Sequence, residues 1–141
     1  MNTQDWSALW AQLDTERPAG AVTLTAAPLD VEAPSALPGE YALFDAPFDE
    51  YEVAELTHFD RPIARGRVAS AGAIAVIAPV TSVPGDQGTG ADDDAAVDAA
   101  HVAAVVEHLA QTAHTEGADV LYAVAGPAQV EVLRGMGFAD A

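Results

Sequence analysis

The 141-residue chain has no cysteine and no lysine. The first absence excludes disulfides and thiolate zinc sites. The second excludes a Walker-type phosphate loop, whose lysine reaches the phosphates. Permanent cations are confined to five arginines against 22 acidic side chains, a net charge of −17. Binding along a nucleic-acid backbone needs clustered Lys and Arg to displace counterions, so no nucleic-acid partner is expected. Aromatic residues make up only 6 % of the chain. No apolar run approaches the length of about 18 residues that a helical membrane span requires, so no membrane partner is expected. The start, MNTQDWSALW, lacks the basic residues and apolar core of a secretory signal. The expectation is a cytoplasmic protein with one domain over residues 1–141 and one hydrophobic core.

What is present is an ordinary globular share of apolar residues, 50 %, and an uneven charge pattern. Asp45, Asp49, Glu50, Glu52 and Glu55 crowd one stretch, and Asp86, Asp92, Asp93, Asp94 and Asp98 another. Arg61, Arg65 and Arg67 supply three of the five arginines within seven residues. A high net charge favours dispersion in water and says nothing of fold; it also suits a basic partner.

Trp6, Leu9, Trp10 and Leu13 recur at helical spacing after Thr3, which predicts a helix over 3–14. AVTLTA (21–26) reads as a short strand, and prolines 28, 34 and 38 mark an extended segment. EYALFDA (40–46) reads as a strand that Pro47 breaks. Strands are then predicted over 51–59, 63–70 and 73–83, joined by short turns into an antiparallel meander. The last, AIAVIAPVTSV, is almost wholly apolar, as in a central strand covered on both faces. Pro79 cannot donate to a ladder, so a bulge or splay is expected there. A polar, Gly-rich loop (84–96) precedes a helix running to about Glu116, with Gly117 as its stop. A buried strand over 118–126 should run parallel to the strand before that helix, and a short helix starts at Pro127. The order is α-(β)-β-β-β-α-β-α, an α/β class with a mixed, mostly antiparallel sheet and flanking helices. Residues 1–47 read as a helix plus a Pro-rich segment, and 48–139 as the core.

Residues 51–138 resemble the GNAT superfamily, the acetyl-CoA-dependent N-acetyltransferases. The resemblance rests on the meander ending in AIAVIAPVTSV and on the strand-to-helix turn VTSVPGDQGTG (80–90). It rests most on HLAQTAHTEGADVLYAVAGPAQVEVLRGMGF (108–138), with Gly117-Ala118 and Gly137-Phe138 at family-like separations. It implies a GNAT-like fold in which a splayed central strand offers backbone groups to the pantetheine arm of acetyl-CoA. The following loop and helix N-terminus would then bind the pyrophosphate. By resemblance, the cofactor-binding residues are Val80, Thr81, Val83, Gln87, Gly88, Thr89 and Gly90.

The chain departs from the family pattern in three ways. Gln87, Gly88 and Gly90 fit Gln/Arg-x-x-Gly-x-Gly/Ala, but its last position is Asp92, followed by Asp93 and Asp94 and an apparent insertion before the helix resumes near His101. Carboxylates there would cap the helix and repel a diphosphate; two like charges about 4 Å apart cost about 1 kcal/mol in water and more in a dry cleft. Counting back from Gly137-Phe138, the position of the tyrosine that protonates the leaving thiolate falls on Leu133, which cannot transfer a proton. Finally, the strands that usually complete the sheet are missing after Phe138, which would leave an edge able to pair with a second chain.

Position alone makes Glu52 and Glu55 the candidate catalytic bases. No metal site is expected: the Asp-rich loop lacks the EF-hand register, and His101 and His108 lie about 10 Å apart along one helix face. The expectation is a divergent GNAT-fold protein with impaired or lost acetyl-CoA use, acting by binding or self-association, with a homodimer through the open edge. The alternatives are an active N-acetyltransferase using acetyl-CoA on a small or protein amine, and an acidic protein that binds a basic partner.

Overall fold

The structure, a computed structural model, describes residues 10, 20–33, 39, 41–47, 51–59, 61–82 and 99–141. The predicted helix over 3–14 lies outside them except for Trp10, which is helical. The described strands are β1 (Val22–Ala26), β2 (Tyr41–Pro47), β3 (Glu52–His58), β4 (Arg61–Ala71), β5 (Ile74–Ile77), β6 (Thr81–Ser82), β7 (Val120–Ala125) and β8 (Ala139–Asp140). Two α-helices accompany them, α1 (Ala99–Thr115) and α2 (Pro127–Gly135), and a 3-10 turn spans Pro28–Asp30.

All eight strands form one sheet in the order β2-β3-β4-β5-β7-β1-β8, with β6 paired to β4. β2 to β5 are the antiparallel meander that the sequence predicts. β7 runs parallel to β5, as a crossover through α1 requires. Pro47 does not end β2 early; it closes the ladder opposite Glu52.

The sequence leaves 21–26 without a partner. In the fold it is β1, which pairs antiparallel with β7 from Val22↔Ala125 to Ala26↔Leu121, and β8 pairs with β1 in turn. β7 has its own unpaired groups on the side away from β5, and the N-terminal strand satisfies them. The edge of β7 that was expected to stay open is therefore filled by β1. Among the described residues, β2 pairs with β3 alone.

Both helices cover one face of the sheet. Val102, Val105, Val106 and Leu109 of α1 and Leu133 of α2 pack with Ala54, Leu56, Ala64 and Val68. Close approach is possible because residue 66 is glycine: a Cβ there would lie 2.7 Å from Val105 Cγ1 and 2.8 Å from Leu109 Cδ1. Gly137 makes the second tight contact, at φ +115° with a built Cβ 2.7 Å from the Asp30 carbonyl oxygen, so the turn after α2 needs glycine twice over. On the opposite face Ala69, Ile74, Val76 and Ala78 form a smaller cluster with Trp10, Tyr51, Val120 and Tyr122.

Candidate functional site: a strand gap and two clefts

The parallel ladder between β5 and β7 ends at Ile77↔Ala123. Beyond it the chain leaves β7 and stays with β4. The Ala78 N–H donates to the Arg67 carbonyl at 3.0 Å, and β6 resumes pairing at Arg65↔Thr81. One extra residue is absorbed between these two points, a bulge at Pro79 and Val80. This is the break that Pro79 predicts, and it opens a gap between the central strand and the end of β7.

The gap is filled. Gln129, in the first turn of α2, is 2 % exposed and aims its carboxamide at Val80. The Val80 N–H donates to Gln129 Oε1 at 3.1 Å, and Gln129 Nε2 donates to the Val80 carbonyl at 2.6 Å. Val80 itself is fully buried. A carboxamide has the donor and acceptor of a peptide unit, so Gln129 extends the ladder where no strand continues it. The helix holds it in place: Pro127 sits in the first turn, and the Gln129 N–H donates to the Gly126 carbonyl at 2.9 Å.

Of the predicted cofactor-binding residues, Val80 is at this gap, and Thr81 lies just past it, exposed and paired with β4. Val83, Gln87, Gly88, Thr89 and Gly90 lie outside the described residues, as do Asp92, Asp93 and Asp94. The Val80 backbone groups, which the resemblance assigns to a pantetheine arm, are both engaged by Gln129.

The predicted bases do not meet there. Glu52 and Glu55 are three apart on β3 and so lie on opposite faces of the sheet. Glu52 is registered through Val68 to Ile77, and Glu55 through Arg65 to Thr81. Each is thus two strands from the central strand's break, about 10 Å. Leu133 is 2 % exposed in the core beneath the helices. Tyr122, on β7, packs on the other face beside Val76.

Each carboxylate has a cleft of its own. On the helix face Glu52 lines a cleft of about 330 Å³ with Asp45, His108 and Glu116. Burial, and then the neighbouring charges of Glu116 and Asp45, hold the Glu52 carboxyl above its ordinary range, and it shares a hydrogen bond with Glu116. Asp45 is in turn paired with His108. His101, seven residues earlier, stacks near Tyr41 with ring centroids 5.4 Å apart.

On the far face a cleft of about 350 Å³ lies over β2, β3 and β4, lined by Phe44 and Tyr51, by Arg65 and Arg67, and by Asp45 and Glu55. Arg65 Nη2 donates to Glu55 Oε2 at 2.7 Å, directly across the β3–β4 ladder. The Arg67 guanidinium lies 5.4 Å from the centre of the Tyr51 ring.

Gln129 was not among the predicted site residues. Its signal was a polar residue four before Leu133, on the face of a short helix that must be buried.

No family model matches the chain, and no curated protein does. Solved structures do match. Among them is a GCN5-related N-acetyltransferase from Kribbella flavida, with a TM-score of 0.59 at 14 % identity over 89 % of this chain. The match covers 55 % of that protein, so the chain spans about half its length. The chain has the GNAT fold: a mixed, mostly antiparallel sheet with two helices over one face. Among the described residues, no helix is long and apolar enough to cross a membrane.

Proposed function

We propose that this chain is a GNAT-fold protein in which acetyl-CoA-dependent transfer is impaired or lost, and that it acts by binding or self-association. The observation that carries the proposal is the dispersal of the reaction's parts. The Val80 backbone at the strand break is paired with Gln129, the position that the resemblance gives to the thiolate's acid is the buried Leu133, and neither candidate base, Glu52 or Glu55, is nearer to the break than two strands. Proton transfer in a transition state needs its groups within hydrogen-bond reach of one reacting centre.

Binding would use the far-face cleft, where the Arg65–Glu55 pair and the Arg67 guanidinium beside Tyr51 line one surface with Phe44 and Asp45. Self-association through a strand edge would use β2. The test is incubation of the protein with acetyl-CoA and a panel of amines, from polyamines to lysine-bearing peptides, with free thiol as the readout. Release at the uncatalysed rate is expected, and turnover would overturn the proposal.

One observation favours the active reading. Glu52, with its carboxyl titrating high beside Asp45 and Glu116, has the character of a general base in an acidic cleft that suits a protonated amine. The same cleft and the charge of −17 suit a basic protein partner. Capture that weakens as salt rises, without any acetyl-CoA dependence, marks that third reading.

A further inference from the structure

We infer that Gln129 is a built-in occupant of the gap between the central strand and β7, and that this one side chain bars a pantetheine arm from it. The inference deepens the proposed loss of cofactor use by naming what refuses the cofactor.

It rests on an account of the backbone through the break. The Ala78 N–H is satisfied by Arg67, Pro79 has no N–H, and the Val80 N–H and C=O are both satisfied by Gln129. From Ala78 to Val80 no N–H is left to offer. An incoming pantetheine amide that pairs with Val80 would bring the same donor and acceptor as Gln129 and would require the same two partners, so the two cannot be present together there.

Displacing Gln129 is not a surface adjustment. The residue is 2 % exposed, and its backbone is fixed by the first turn of α2. Turning its carboxamide away would break both hydrogen bonds and strip the buried Val80 N–H and C=O of partners until the ligand replaced them. The block is nevertheless one side chain deep. Truncation at Cβ removes the carboxamide and frees both Val80 groups, while Pro127 still sets the start of the helix.

The test compares wild type, Gln129→Ala and Gln129→Leu by calorimetry with pantetheine and with coenzyme A. Pantetheine has no diphosphate, so its binding reads the gap alone. Wild type is expected to bind neither. Gln129→Ala is expected to bind pantetheine at least tenfold more tightly than the weakest binding that the calorimetry would detect in wild type. Gln129→Leu, which refills the space without polar atoms, is expected to gain none.

A folded Gln129→Ala protein without the gain, or an equal gain in Gln129→Leu, overturns the inference and leaves the proposed function standing. Turnover by wild type overturns the proposed function. Wild-type binding of pantetheine in the gap overturns both. Should Gln129→Ala fail to fold, amide exchange in wild type decides. Val80 N–H and the Gln129 carboxamide protons are expected to exchange as slowly as the amides of β5. Exchange at the rate of a free side chain overturns the inference.

Discussion

The two openings of this sheet handle polar groups in opposite ways. At the gap beside β7 the backbone of Val80 and the carboxamide of Gln129 are buried and satisfy each other. In the far-face cleft the Arg65–Glu55 pair is in contact, but the two side chains are 42 % and 30 % exposed. A satisfied, buried polar pair offers nothing to a ligand and is costly to break, whereas a solvated pair is cheap to rearrange. The gap is a piece of core, whereas the cleft is an open, solvated surface.

The contrast fixes the sizes of four effects. The largest is expected from Gln129→Ala, which orphans both Val80 groups and opens a void; it should lower unfolding free energy by about 2–4 kcal/mol, measured by urea denaturation. Next is Leu133→Tyr, which places a hydroxyl at a buried position on α2. In a core this closed it overpacks, so a loss of about 1–3 kcal/mol is expected, with no thiol release from acetyl-CoA. A double-mutant cycle on Glu55 and Arg65 should then return a coupling below about 1 kcal/mol that fades in high salt, as for a solvated pair. A larger, salt-insensitive coupling would erase the distinction between the two openings.

The smallest effect concerns Glu52, whose carboxyl titrates high because of burial and then of Glu116 and Asp45. A raised carboxyl holds its proton more tightly in the folded state. Its stabilising share is therefore complete below the ordinary glutamate range and is lost as pH rises through the folded value. Glu52→Gln should accordingly stabilise the protein at pH 7 by a few tenths of a kcal/mol, up to about 0.5, after solvent screening. The gain should vanish near pH 3, as read from thermal unfolding across pH.

Much of the fold was legible in the chain. The alternation over 51–59, the continuous apolar run at 73–78, the stop at Gly117 and the start at Pro127 each report a local preference or a burial pattern. The structure places the corresponding elements at Glu52–His58, Ile74–Ile77, Ala99–Thr115 and Pro127–Gly135. Pro79 marked the break in the central strand for the same local reason, its missing N–H. The site was less legible. Periodicity placed Gln129 on the buried face of its helix but could not say which groups waited there. Position near the meander nominated Glu52 and Glu55, yet only the paired strands show them on opposite faces and away from the gap.

By itself the sequence determined the class of elements, their order, the parallel crossover and the place where the central strand breaks, since propensity and hydrophobic period are local properties. Only the tertiary structure decided that the N-terminal strand closes the edge beside β7 and that a helix carboxamide fills the broken strand. Both are contacts between segments far apart in the chain. They are selected by the need to pair every buried backbone group, and that need exists only once the rest of the sheet is in place.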